Sequence, residues 1–224
     1  MLFDFDGTIA DTSRAWREAI RASFAQNGFQ LDDPTVSLLL VSAWRDVVPE
    51  LTEANESAIE SDMIAAINDV HLACPLVAGI DRVLEAVSGV PMAIVTSSYR
   101  ERLVVPYLRR HGLSGYFAAI VGSEDTDTLK PSPEPVLAAL RLLDADPAGA
   151  WMIGDSAADV AAARSAGIRS IALGHEAIGA DRVAESADAL RVVLAGLAPE
   201  NEYSARVGRR GLGTVVTGEG GEHL

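Results

Sequence analysis

Two acids separated by one residue, Asp4 and Asp6, stand in the run Asp4-Phe5-Asp6-Gly7-Thr8-Ile9-Ala10-Asp11, directly after the apolar start Met1 to Phe3. In extended chain, residues two apart point to the same side, so both carboxylates address one small volume just past the end of a short strand. Crowded there, they repel unless a proton or a cation intervenes, and a divalent metal is the simpler solution. A carboxylate held by a metal against a phosphorus centre is a nucleophile, and a second acid beside it protonates the leaving oxygen. Taken alone, the octet also reads as a DG turn capped by an acid.

Three later stretches put polar groups where strands should end. Thr96 and Ser97 close the run Pro91 to Ser98, where a hydroxyl and the following amides could hold a phosphoryl oxygen or simply cap a helix. Lys130-Pro131 follows the acidic loop from Gly122 to Leu129. Of the 18 basic residues, 17 are arginine and Lys130 is the one lysine. A site wanting a compact ammonium rather than a planar fork would explain that choice, and a solvated loop lysine is the bland alternative. In Gly154-Asp155-Ser156-Ala157-Ala158-Asp159, Asp155 ends a strand and can share a metal with Asp4. Asp159 lies one helical turn further on the same face, where it can orient metal-bound water.

The elements that must carry these residues alternate. Trp16, Ala19, Ile20, Ser23 and Phe24 recur at helical spacing and Gly28 stops the run; Asp33-Pro34 opens a second helical segment, Trp44 to Leu51 marks a third, and Ile59, Met63, Ile67 and Val70 a fourth. From Ile80 to Val87 a helix leads into the short apolar run ending at Ser98. A helix over 100–111, a strand over 117–121, a helix from about Pro133, a strand over 151–154, a helix over 157–166, a strand over 169–173 and a helix near 188–197 follow. Short apolar runs alternating with helices predict a Rossmann-like α/β core with a parallel sheet covered on both faces. Residues 1–11 and 76–198 form that core, 12–75 an inserted helical unit without a strand of its own, and 199–224 a Gly-rich, charged tail expected to be poorly ordered.

At 224 residues and 49% hydrophobic content the chain can bury one full core and a smaller second unit. The net charge of −14 argues against nucleic acid or anionic membrane surfaces as partners. No apolar run approaches a membrane span and no basic-then-apolar leader precedes Asp4, so a cytoplasmic protein is expected. The single cysteine, Cys74, excludes an internal disulfide and reads as a small buried hydrophobe. His71, His111, His175 and His223 show no ligand spacing.

In order, Asp4-Phe-Asp6-Gly-Thr8, Thr96-Ser97, Lys130-Pro131 and Gly154-Asp155 with Asp159 resemble the four motifs of the haloacid dehalogenase superfamily, in its phosphotransferase branch. An insertion between the first and second motifs resembles the helical-cap branch of phosphoglycolate phosphatases and beta-phosphoglucomutases. The resemblance implies Mg2+ held by Asp4, the Asp6 backbone carbonyl and Asp155; Asp4 as nucleophile; Asp6 as general acid and base; and phosphate binding by Thr96, Ser97 and Lys130. It implies a small phosphorylated metabolite as substrate and a monomer or homodimer. Arg45, Arg14 and Arg100 are candidates for selecting the substrate, with surface arginines as the alternative reading. The insertion contains no lysine for a Schiff base, which excludes a phosphonoacetaldehyde hydrolase, and Gly154 stands where mutases typically carry an acid. A phosphatase is therefore expected, with a mutase-like phosphotransferase or a catalytically silent binding protein as alternatives.

Overall fold

The computed structural model describes residues 1–40, 44–174 and 179–197. The tail expectation for 199–224, and His175 and His223, lie outside those residues. Six strands form one parallel sheet: β1 (Leu2–Phe3), β2 (Ala93–Val95), β3 (Ala119–Val121), β4 (Trp151–Gly154), β5 (Arg169–Leu173) and β6 (Arg182–Ala184), in the order β3-β2-β1-β4-β5-β6. Though only two residues long, β1 is central. It registers Leu2 with Ala93 and Met152, and Phe3 with Ile94 and Ile153. Strand order reverses there, so the crevice beyond the carboxyl ends of β1, β2 and β4 is the place where such a sheet takes a ligand.

Strand periodicity sorts the apolar side chains to two faces. Phe3, Ile94, Ile153 and Ile171 point to one, under α5 (Ile80–Ala86), α6 (Val105–Arg110) and α9 (Ala187–Ala195). Leu2, Ala93, Val95 and Met152 point to the other, under α7 (Glu134–Leu143) and α8 (Ala157–Ser165). All eight strand residues are fully buried or nearly so, which is why their runs read as continuously apolar rather than alternating.

Between β1 and α5 come α1 (Ser13–Gln26), α2 (Asp33–Leu39), α3 (Trp44–Val47) and α4 (Glu53–His71). They bury Ile20, Phe24, Val36, Leu39, Val48, Leu51 and Ile59 against one another, with the Trp44 ring edge-on to Phe24 at 5.5 Å. A second apolar contact, Ala19 and Ile67 with Leu103, joined by Trp16 and Tyr99, seats α1 and α4 on the stretch that follows β2. The two connecting strands lie side by side: Asp11 N–H donates to Pro75 O at 2.9 Å and Val77 N–H to Ile9 O at 3.0 Å. The Tyr107 hydroxyl ties the return strand down by donating to Pro75 O at 2.8 Å and Cys74 O at 3.1 Å.

Three local expectations change. The helix expected over 100–111 begins as a wide π-type turn, Arg100–Val104, before α6; Pro106 offers no N–H to the carbonyl four residues back, so a continuous α-helix would be broken there. The edge strand β6 has too few residues to give a periodic signal and exists by pairing with β5. Cys74 is half-buried rather than buried. No helix among the described residues is long and apolar enough to cross a membrane.

Candidate active site

Asp4 follows the last residue of β1, and its N–H donates to Ile153 O at 2.8 Å, extending the ladder by one rung. The chain then turns sharply: Ile9 and Ala10 N–H both donate to Phe5 O, and Gly7 takes φ +79°. A Cβ on Gly7 would lie 2.0 Å from Asp155 Oδ2, so glycine is required here both for the left-handed backbone and for the approach of the two loops.

The Lys130 side chain is only 5% exposed, which excludes a solvated loop lysine. Its ammonium donates to Asp4 Oδ1 at 2.5 Å, Asp159 Oδ1 at 2.6 Å and Val95 O at 2.9 Å, using all three of its protons. Two acids of the loop before it act elsewhere. Glu124 accepts from the Arg100 and Glu101 N–H groups, while Asp125 accepts from Gly122 N–H and pairs with Arg100.

Asp159 is buried at the third position of α8, where Ser156 and Asp159 form a reciprocal cap. Its Oδ2 accepts from Ser156 Oγ at 2.5 Å and Ser156 N–H at 3.1 Å, and its Oδ1 takes Lys130. A Cβ on Gly154 would meet the Asp159 carboxylate at 2.4 Å, so the bare backbone makes room for this arrangement. Among the described residues Asp155 has one weak partner, Thr8 Oγ1 at 3.4 Å from its Oδ1.

Carboxylate oxygens of Asp4, Asp155 and Asp159 lie within 4.8 Å of one another, with a single ammonium among them. Burial, with Asp159 adding repulsion, pushes the Asp4 carboxyl well above the usual range despite Lys130. Burial followed by Asp159 holds Asp155 at about 6. Desolvation would depress the Lys130 ammonium, but Asp159 and Asp4 outweigh it and hold it above its ordinary value. This cluster is under-neutralised and built of hard oxygen donors, so a small divalent cation fits it. Asp159 has spent both oxygens on Lys130 and Ser156, which leaves Asp4 and Asp155 as the side chains open to that cation.

The Asp6 carboxylate belongs to a different set. Its Oδ1 accepts from Thr12 Oγ1 at 2.7 Å and Trp16 Nε1 at 2.8 Å, and its Oδ2 from Ser98 Oγ at 2.6 Å. Thr12 stands at the N-cap of α1 yet makes no side-chain cap bond, since its hydroxyl is used here. His71, fully buried between Phe5 and Tyr107, has its Nε2 3.9 Å from the same Oδ1. Burial lowers its pKa and Asp6 pulls it the other way.

Thr96 is buried at the end of β2 and accepts from Ser98 N–H at 3.0 Å, whereas Ser97 is exposed. Ser98, not singled out from the sequence, supplies the hydroxyl that reaches Asp6. Trp16, Thr12 and His71 were also not singled out as site residues; the helical pattern marked Trp16 as core. Arg14 pairs with Glu18 on its own helix, Arg45 with Glu56 and Glu53, and Arg100 with Asp125 and Glu101. A groove of about 410 Å³ bordered by Gly7, Val77, Ala78 and Asp155 opens beside the acidic cluster.

The family described as haloacid dehalogenase-like hydrolase matches residues 1–173. The plasmid-encoded phosphoglycolate phosphatase of Cupriavidus necator is 33% identical over 220 residues, covering 89% of this chain and 95% of that protein. Protein CbbY of the same organism is 33% identical over 76% of each chain. Among solved structures, CbbY from Rhodobacter sphaeroides in complex with phosphate superposes with a TM-score of 0.70 at 25% identity, covering 83% of this chain and 93% of that one. A subfamily IA hydrolase from Geobacter sulfurreducens shares the fold, with a TM-score of 0.67 at 21% identity over 88% and 95% of the two chains.

Proposed function

Because this chain belongs to the haloacid dehalogenase-like hydrolase family, we propose that it is a Mg2+-dependent phosphatase of small phosphate monoesters, phosphoglycolate-like in size and charge. The observation that carries this reading is that Asp4, Lys130, Asp155 and Asp159, far apart in sequence, meet at the carboxyl ends of adjacent strands. The 12–75 unit acts as a cap over the 1–11 and 76–198 core, and the substrate's leaving group lies between them.

Asp4 attacks phosphorus; the new Asp4 O–P bond forms as the ester O–P bond breaks, and Asp6 gives a proton to the departing oxygen. In the second step Asp6 takes a proton from water, the water oxygen bonds to phosphorus, and the Asp4 O–P bond breaks to free inorganic phosphate. Lys130 holds Asp4 in one orientation and balances charge on the transferring group, and Thr96 with the following amides orients its oxygens. Asp159 fixes Lys130. When bound at Asp4, the Asp6 carbonyl and Asp155, Mg2+ would neutralise developing negative charge. Gly154 leaves Asp159 undisturbed and is compatible with hydrolysis rather than a mutase arrangement.

Release of inorganic phosphate from phosphoglycolate, sugar phosphates and nucleoside monophosphates, with and without EDTA, tests the reading. Turnover that disappears in EDTA and in a folded Asp4→Asn variant is expected. Phosphate release retained by Asp4→Asn would overturn the nucleophile assignment, isomerisation of a sugar phosphate without release would indicate a mutase, and silence on every ester would leave a binding protein.

A further inference from the structure

The one lysine reaches the acidic cluster from a stretch of chain with few backbone means of holding its own shape. Pro131, Pro133 and Pro135 carry no N–H, so residues 131–135 offer only the backbone donors of Ser132 and Glu134. Ser132 N–H donates to Leu129 O at 2.9 Å and Glu134 N–H to Ser132 Oγ at 3.3 Å. A carboxylate closes the loop. Glu134, the first residue of α7, turns back so that its Oε1 accepts from Asp127 N–H at 3.3 Å, and its Oε2 from Thr128 N–H at 3.0 Å and Thr128 Oγ1 at 2.6 Å. Ser132 Oγ lies 2.7 Å from Thr128 Oγ1, which completes a ring of side chains and amides. Lys130 sits near the middle of the segment that this carboxylate spans.

The two ends of this clamp differ in stiffness. Buried Val136, Ala139 and Leu140 fix α7 to the sheet, whereas Asp127, Thr128 and Leu129 are exposed. The Thr128 hydroxyl, with the two amides, holds the Glu134 carboxyl below its usual range, so at neutral pH it is ionised and free to accept from all three donors. The ammonium that the loop presents tolerates little displacement. Its acceptors, at 2.5, 2.6 and 2.9 Å, belong to three separate elements: Asp4 just after β1, Asp159 in α8 and Val95 at the end of β2. We propose that Glu134 is a positioning residue: by tying the Asp127 and Thr128 amides to the start of α7, it sets where the Lys130 ammonium stands against Asp4 and Asp159. Glu134 touches no substrate and acts through Lys130.

This inference rests on the phosphatase reading for its kinetic arm and on geometry alone for its spectroscopic arm. Glu134→Gln keeps the reach and loses one acceptor, while Glu134→Asp keeps the charge and is one methylene shorter. With the phosphate ester that the unmodified chain hydrolyses fastest, both should lower kcat about tenfold or more and change KM less than about threefold. Asp127→Asn removes an exposed charge from the same loop but keeps the N–H, and should leave kcat unchanged. Because Lys130 is the one lysine, lysine labelled with 15N on its side chain gives a single ammonium resonance, which both Glu134 variants should move or broaden. A role confined to stability would lower Tm and leave both that resonance and the kcat of the folded protein in place. Thr128→Val removes one donor from the other side of the clamp and should disturb the same resonance, which keeps the test available if a Glu134 variant fails to fold. An unmoved resonance in the folded variants, an equal loss of kcat in Asp127→Asn, or an unchanged kcat in an enzyme that Asp4→Asn silences would each overturn the proposal and leave the phosphatase reading standing. If the unmodified chain hydrolyses no ester, the phosphatase reading falls, and the resonance alone decides whether Glu134 sets Lys130.

Discussion

Replacing Lys130 by Met separates a buried ion network from a solvated loop lysine more sharply than any other single change. The aliphatic stem stays and the ammonium goes, leaving Asp4 Oδ1 and Asp159 Oδ1, now 2.5 and 2.6 Å from that nitrogen, facing each other without a cation. Removing one partner of a buried pair costs about 3–5 kcal/mol, because the remaining charge stays desolvated. Against a total stability of about 5–15 kcal/mol that is a large share, and for a chain of this size it lowers Tm by about 6–20 °C. The cost must also depend on pH. In the variant the Asp4 carboxyl, already raised by burial, rises further above its unfolded value of about 4. A raised folded pKa contributes stability that is complete below the unfolded value and is lost as pH rises through the folded one. The deficit relative to the unmodified chain should therefore be largest near pH 7.5 and shrink toward about pH 5. Urea denaturation at both values, in EDTA, measures it. A deficit below about 1 kcal/mol that does not change with pH would refute the network.

Gly7→Ala should cost about 1–2 kcal/mol for its φ of +79° and in addition displace Asp155, weakening Mg2+ binding about tenfold or more; Gly28→Ala, at φ +89° with no neighbour within 4 Å among the described residues, should pay only the backbone cost and leave Mg2+ affinity unchanged. Calorimetric titration of both variants checks this. Because Asp155 is held at about 6, protons compete with the cation below that value. Mg2+ should raise Tm clearly at pH 7.5 and much less at pH 5, and an equal rise at both would count against Asp155 as a ligand.

Resemblance to four short motifs was readable because each is punctuated locally: Gly7 makes the turn after β1, Thr96-Ser97 follows β2, Gly154-Asp155 closes β4, and Lys130 is chemically conspicuous as the one lysine. Helix and strand order was readable for the same reason, since a buried parallel strand is a short apolar run and each helix has a periodic face. Short elements were not: β6 has three residues and depends on β5 for its existence. Ser98 and Trp16 were not readable as site residues either, because a serine beside Thr96-Ser97 and a tryptophan at helical spacing carry no mark of which atom they face.

What the residues determined alone, then, is the chemistry on offer: paired acids, one ammonium, a hydroxyl at a strand end, and a long helical insertion placed after the first motif. Tertiary structure decided how these are shared out. Lys130 goes to Asp4 and Asp159 rather than to its own loop acids, Asp159 is spent on Lys130 and Ser156 so that Asp155 remains open, and Asp6 is turned to Thr12, Trp16 and Ser98. Hydrogen bonds and ion pairs act over a few ångströms, whereas these partners lie up to 126 residues apart; only the closing of the parallel sheet at its central strand brings them within that reach.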